Sequence, residues 1–239
     1  MAIPKIIHYI QFDGQMNPKK AQKIEKCIQT WKEKLKGYQL VKWDQTNFDL
    51  MAHPYTNGCM QINRWDLIEN YVKAYALENQ GGIFLDNEMI VLENFDDLLN
   101  FHMFFGFEHN NHITNAIVGA EPNSDFFQVF LRHLDELVES REGIQLDYEG
   151  YLSGLLKEKY HVLFNNQEQL LEDNIKVYAS KVFINPSIDS KTIWVKAENC
   201  KGEPNSFTNQ MDQKKRMKIH TRQQAELYRK KQENKVSFL

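Results

Sequence analysis

Apolar and polar positions along the 239-residue chain follow two alternating periods. Lys5–Phe12 is rich in β-branched and aromatic residues just after Pro4, which predicts a first, buried strand. From Asn17 onward, Ala21, Ile24, Cys27, Ile28, Trp31 and Leu35 recur at three- to four-residue spacing. That spacing predicts an amphipathic helix, with Gly37 as its stop. Tyr38–Trp43 reads as a second strand, so the chain opens strand, helix, strand, the signature of a parallel α/β layer. A second long helix is predicted over Gln61–Gln80, with Trp65, Ile68, Val72, Tyr75 and Ala76 on one face and Gly81-Gly82 ending it. Ile83-Phe84-Leu85 is a short apolar run, hence a buried strand. Asp86-Asn87-Glu88 interrupts the run and Met89–Leu92 resumes it. Further on, strands are predicted at His102–Phe107, Asn115–Gly119, Ile175–Val177, Lys181–Ile184 and Thr192–Val195, and helices at Phe126–Val138 and Tyr148–Lys159. No repeat, low-complexity stretch or linker divides the chain.

Composition adds limits rather than detail. Hydrophobic residues make up 42% of the chain and aromatics 12%, enough for a sizeable core. The formal net charge of −3 gives no reason to expect nucleic acid as a partner. Cys27, Cys59 and Cys200 are scattered, without CxxC spacing, and read as free thiols rather than a disulfide framework or zinc site. Neither a signal-peptide h-region nor an apolar run of about 18 residues occurs, so a cytoplasmic protein is expected. From Lys214 to Lys235 nine basic residues face only Glu226 and Glu233. This tail is expected to hold a short Met217-Lys218-Ile219 strand and a basic helix. Peripheral contact with an anionic membrane surface is one role for it, and an ordinary solvated face is the other.

The acidic interruption carries the chemistry. Asp86 and Glu88 lie two apart, just past a buried strand; in a continuing strand they would point to the same side. Hard divalent cations take carboxylate oxygens, and a cation bridging two phosphates stabilises the charge that gathers on a diphosphate leaving group. Open α/β sheets place ligands at the carboxyl ends of their strands. A lone DxE is equally a plain turn between strands, since Asp and Asn favour turns.

Three segments together resemble glycosyltransferase family 32, the DXD-containing sugar transferases of capsular-polysaccharide synthesis and fungal mannosyl transfer. They are Ile3–His8; Cys27–Lys32 with Gly37-Tyr38 and Trp43-Asp44; and Tyr71–Leu98, centred on Gly81-Gly82-Ile83-Phe84-Leu85-Asp86. They span about the first 100 residues in the family's order. Later, the likeness is loose: Asn115–Ala120 resembles a family strand, and His220 stands where the family often has a histidine.

The resemblance implies a GT-A-type single domain, a Rossmann-like mixed sheet flanked by helices. Residues 1–100 would form the donor-nucleotide half, 101–213 the acceptor half and 214–239 the basic tail. It also implies a nucleotide-sugar donor (UDP-sugar favoured, GDP-sugar next), a divalent metal (Mn2+ or Mg2+), retention at the anomeric carbon, and a glycan or lipid-linked acceptor. Asp86 and Glu88 would hold the metal and diphosphate, with His220 as a further ligand. Asn70 and Lys73, at i and i+3 on one helix face, would contact the sugar, with Asp66 sharing that face. Tyr9, Gln11 and Phe12 would line the nucleotide pocket, Asn115 would touch donor or acceptor, and Lys218 and Arg222 would neutralise the diphosphate. His8, Trp31 and Trp43 read as core residues.

The chain departs from the family pattern at the donor site. DXD becomes Asp86-Asn87-Glu88, the upstream SDxxR becomes Glu69-Asn70-Tyr71-Val72-Lys73, and Gln11 stands in place of a tryptophan. Lys73 keeps a cation but lacks the bidentate fork of arginine. Two other functions stand beside the transferase: a nucleotidyltransferase, which would want a Gly-rich nucleotide loop near the N-terminus, and a catalytically inactive GT-A-like domain that binds glycans or a partner.

Overall fold

The structure is a computed structural model that describes residues 2–12, 18–109, 112–139, 148–184 and 195–197, all within one compact unit, Met1–Cys200. The features expected in residues 201–239, including the Met217–Ile219 strand, the basic helix, Lys218, His220 and Arg222, lie outside the described residues.

The chain opens as the hydrophobic pattern demands. Strand β1 (Ile6–Ile10) is followed by helix α1 (Pro18–Lys34) and strand β2 (Gln39–Trp43), which pairs parallel to β1. Helix α1 buries Ile24, Cys27 and Trp31, the periodic stripe read from the sequence. Gly37 follows it with φ 85°, the left-handed conformation in which glycine ends a helix at little cost.

The helix predicted over Gln61–Gln80 starts later, as α3 (Trp65–Gln80), and is preceded by a separate helix, α2 (Pro54–Gln61), that the hydrophobic period does not reveal. Asn63 separates them in the left-handed region at φ 55°, a conformation that asparagine tolerates. Its Oδ1 also accepts from Trp65 Nε1 at 2.8 Å. Pro54 opens α2 at a first-turn position that needs no backbone N–H.

Strand β3 (Gly82–Leu85) lies parallel to β1 in the centre of the sheet and is buried throughout. Past the acidic turn, β4 (Met89–Val91) leaves that sheet and pairs antiparallel with β10 (Val195–Ala197). Strands β5 (Met103–His109), β6 (His112–Ile113) and β7 (Ile117–Ala120) follow, then helices α4 (Asp125–Glu139) and α5 (Tyr148–Tyr160). Strands β8 (Gln169–Leu171) and β9 (Ile175–Tyr178) come next. The main sheet runs β2-β1-β3-β7-β5-β9-β8, with β6 paired to β5. It is mixed: β7 is antiparallel to both β3 and β5, whereas β5 and β9 are parallel.

Lys181–Ile184, expected as a strand, falls instead in a short helix, α6 (Ser180–Phe183). Asn166 explains the difference, because its Oδ1 accepts from Ser180 N at 2.8 Å and its Nδ2 donates to Ser180 Oγ at 2.9 Å, pinning the start of that turn. Phe183 then packs over Gly106, where a Cβ would come within 2.5 Å of its ring. Tertiary packing therefore overrides the local apolar run.

Two cores flank the sheet. Ile10, Phe12 and Phe84 point to the side covered by α2, α3, α4 and α5. Ile7, Ile83 and Leu85 point to the side covered by α1, β4 and α6. This alternation follows from the two-residue period of strands. Among the described residues no helix is long and apolar enough to cross a membrane.

Candidate functional site

The junction of α3 and β3 is built on glycine. Gly81 ends α3 at φ 61°, ψ −162°, a region that residues with a Cβ scarcely enter. Gly82 follows at φ 100°. A Cβ on Gly81 would lie 2.6 Å from Pro122, and one on Gly82 would lie 2.7 Å from the Ile6 carbonyl. The glycine pair thus lets the end of α3 drop directly into the sheet beside β1.

His8 fastens this junction. It is wholly buried, and its Nδ1 accepts from Trp43 Nε1 at 3.0 Å. The proton must therefore sit on Nε2, which donates to the Gly81 carbonyl at 2.7 Å. Burial pulls its pKa down to about 4, against a raising effect of the Gly81 bond. His8 is thus a satisfied, neutral core histidine. Trp31 and Trp43 are core residues too, and Trp31 Nε1 donates to the Met89 carbonyl at 2.7 Å, tying α1 to β4.

Asp86, Asn87 and Glu88 do not continue the strand. The Asp86 backbone N–H donates to the Ala116 carbonyl at 2.8 Å, and its carbonyl accepts from Met89 N at 3.0 Å. The Asp86 carboxylate folds back, Oδ1 accepting from Glu88 N at 2.8 Å. Asn87 Nδ2 donates to the Ile10 carbonyl at 2.8 Å. The expectation that Asp86 and Glu88 share one side of an extended strand is therefore corrected to a closed turn. Hydrogen bonds pin that turn to the carboxyl end of β1 and to the residue that leads into β7.

Lys73 lies next to the turn. It is only 3% exposed, because α3 carries it into the core above the Phe84 ring, 4.6 Å from the centroid. Its Nζ donates to Asn70 Oδ1 (3.2 Å), the Asn115 carbonyl (3.1 Å) and Asn115 Oδ1 (3.3 Å). Asn115 precedes Ala116, whose carbonyl receives the Asp86 N–H. The structure thus gathers Asn70, Lys73, Asn115 and Asp86 at one edge of the sheet.

Glu69, read in the sequence only as a departure from a pattern, belongs to the same group. Burial pushes its carboxyl pKa up; Lys20 and Lys73 oppose that shift, and Asp86 and Asp66 reinforce it. Its signal in the sequence was the i, i+4 spacing from Lys73. Asp66 sits apart. Its side chain is 63% exposed and is held by Arg64 through two hydrogen bonds of 2.8 Å. Arg64 is a partner that periodicity did not indicate.

The three residues expected at a nucleotide pocket divide between the faces of the sheet. Tyr9 packs edge-on against Trp31, with centroids 5.5 Å apart, on the α1 side. Phe12 is 2% exposed in the opposite core, its ring 5.8 Å from that of Trp65. Gln11 extends β1, its backbone N–H donating to the Trp43 carbonyl at 2.9 Å.

As for cation ligands, no group of three or more His, Cys, Asp or Glu side chains suited to a metal occurs among the described residues. The turn offers two carboxylates, Asp86 and Glu88. That set suits a hard cation such as Mn2+ or Mg2+, which binds one or two protein carboxylates and completes its shell with phosphate oxygens and water.

No protein-family model matches the sequence, and no curated protein does so. Among solved structures, the PaToxG glycosyltransferase has a similar fold at TM-score 0.52 and 15% identity, over 66% of this chain and 69% of that one. A glycosyltransferase involved in glycosylation of the major capsid of PBCV-1 aligns at TM-score 0.43 and 10% identity, over 81% and 94%. The apo-form glycosyltransferase GlyE of Streptococcus pneumoniae TIGR4 aligns at TM-score 0.41 and 9% identity, over 66% and 44%. The mixed sheet flanked by helices is therefore that of a GT-A-like glycosyltransferase fold.

Proposed function

We propose that this protein is a metal-dependent glycosyltransferase that moves a sugar from a nucleotide-sugar, a UDP-sugar in preference to a GDP-sugar, to a glycan or lipid-linked acceptor with retention. One observation carries the reading. An acidic turn, Asp86-Asn87-Glu88, is pinned at the carboxyl edge of parallel strands β1 and β3, beside a buried lysine tied to Asn70 and Asn115. Ligand sites of open α/β sheets lie at that edge, and a diphosphate leaving group calls for both metal-binding carboxylates and fixed positive charge.

In this reading Asp86 and Glu88 hold the divalent cation, which supplies charge stabilisation to the departing diphosphate. Asn87 serves the site through its bond to the Ile10 carbonyl, which holds the turn closed. Lys73 supplies a cation whose position is set by three acceptor contacts rather than by a flexible arm. Pre-set charge of this kind needs little reorganisation during reaction. Tyr9, Gln11 and Phe12 at the end of β1, Asp66 at the start of α3, and Lys218, His220 and Arg222 in the tail are the further donor contacts of the proposal. Cytoplasmic location, with the tail against an anionic membrane, belongs to the same proposal.

The test is release of free nucleotide from a panel of UDP- and GDP-sugars in the presence of Mn2+ or Mg2+, with and without chelator. Metal-dependent release from at least one donor, lost in both Asp86→Asn and Glu88→Gln, is the expected result. Turnover retained in both variants would remove the metal assignment. Absence of binding to every nucleotide tested would leave a GT-A-like domain that binds glycans or a partner.

A further inference from the structure

We propose that Trp31, on helix α1, is a positioning residue for the carboxylate of Glu88, acting through the hydrogen bond it makes to the backbone of Met89. The inference rests on the metal-dependent reading above and adds to it a residue that lies outside the acidic turn.

The two sides of that turn are anchored differently. On the entry side the Asp86 N–H donates to the Ala116 carbonyl at 2.8 Å, and Asn87 Nδ2 donates to the Ile10 carbonyl at 2.8 Å. Ile10 ends β1 and Ala116 leads into β7, so both anchors belong to the main sheet. Beyond Glu88 the chain leaves that sheet, because β4 pairs with β10 instead. The last residue of the turn therefore takes its position from whatever fixes the start of β4.

Helix α1 fixes it with two adjacent side chains. Trp31 Nε1 donates to the Met89 carbonyl at 2.7 Å. Thr30 Oγ1 accepts from the Val91 N–H at 3.0 Å and donates to the Cys27 carbonyl at 2.6 Å. Met89 and Val91 stand two apart on β4, so their backbone groups face one edge of the strand. Thr30 and Trp31 take the place of a neighbouring strand along that edge. Met89 directly follows Glu88, and its own N–H closes the turn on the Asp86 carbonyl at 3.0 Å. The peptide planes on both sides of Met89 are thereby fixed, and one of them is the peptide that joins it to Glu88.

The surroundings make the Trp31 bond count. Trp31 is wholly buried and Met89 nearly so, in the same core as Val91. A buried carbonyl that loses its donor is left unsatisfied, which favours a shift of the backbone that carries it. The same indole meets Tyr9 edge-on, with centroids 5.5 Å apart. One side chain thus braces both the β1 residue proposed for the nucleotide and the turn proposed for the cation. Residues that orient metal ligands from behind change metal affinity about ten- to a hundredfold when altered.

Trp31→Phe isolates the bond, because it removes the N–H and keeps a ring against Tyr9. Mn2+ binding is followed by electron paramagnetic resonance of the free ion in saturating UDP or GDP, alongside urea unfolding of each variant. Trp31→Phe is expected to bind Mn2+ about tenfold more weakly than wild type. Thr30→Val should shift in the same direction, whereas Thr30→Ser, which keeps the hydroxyl, should stay within about twofold of wild type. A lower unfolding midpoint with unchanged Mn2+ affinity in Trp31→Phe and Thr30→Val would make Trp31 a packing residue only and overturn the assignment, leaving the transferase reading intact. Equal losses in Thr30→Ser and Thr30→Val would overturn it as well. Where Trp31→Phe fails to fold, the Thr30 pair decides between the same outcomes. A wild type that binds no Mn2+ with either nucleotide would overturn both this assignment and the metal reading beneath it.

Discussion

Acid should loosen this fold through His8 by an amount that can be worked out. Its imidazole is wholly buried, accepts from Trp43 Nε1 and donates to the Gly81 carbonyl. A second proton would have to sit on Nδ1, facing the indole N–H. The folded pKa is about 4, against 6.5 for the ordinary side chain. Because the folded value is depressed, the stabilising contribution is complete above pH 6.5 and is lost as pH falls toward 4. At pH 5 the unfolded chain gains about 2 kcal/mol from protonating this residue, approaching about 3 kcal/mol at lower pH. The perturbation is His8→Gln, which offers both an acceptor and a donor but does not titrate. Unfolding free energies from urea titration at pH 7.5 and pH 5 should fall by about 2 kcal/mol more in wild type than in the variant. Other histidines and the carboxylates contribute to both proteins and cancel in that difference. Parallel pH profiles would refute the reasoning, as would a His8 ring signal in NMR that titrates near the ordinary value. The second observation stands even where the variant folds poorly.

The remaining predictions concern the frame and the site. Gly81→Ala should destabilise by about 3 kcal/mol or more, because a strained conformation and a clash with Pro122 add together; urea unfolding measures it, and a loss under about 1 kcal/mol would contradict the geometry. Lys73→Met should lower turnover of the nucleotide-sugar about a hundredfold or more while circular dichroism stays native, as expected for loss of one fixed charge at a transition state. Asp86→Asn keeps an acceptor for the Glu88 N–H, so its unfolding midpoint should match wild type while metal-dependent nucleotide binding is lost.

The glycine junction and acidic turn of the candidate site were legible in the sequence because their markers are local. The Gly81-Gly82 pair, the apolar run Ile83–Leu85 and the acids that follow are chain neighbours, and each acts through backbone conformation or a strand end. The division of labour around them was not legible, because it depends on contacts between distant segments. Asn115 reaches Lys73 across 42 positions, and Asn87 reaches Ile10 across 77. Glu69 reads in the sequence only as a departure from a motif, whereas in the fold burial pushes its carboxyl pKa up. Periodicity also missed α2, an eight-residue helix too short to show a clear period, and set the start of α3 before the left-handed Asn63 that separates the two. The β8 strand, only three residues long, offers too short a pattern for any period to register.

The measurement that bears most directly on the account is calorimetric titration of a nucleotide-sugar panel into wild type, Asp86→Asn and Glu88→Gln, each with Mn2+ and with chelator. The account predicts binding of at least one nucleotide-sugar by wild type only when metal is present, with each variant weakened about a hundredfold at an unchanged unfolding midpoint. Metal-independent binding, or equal affinity in all three proteins, would contradict it.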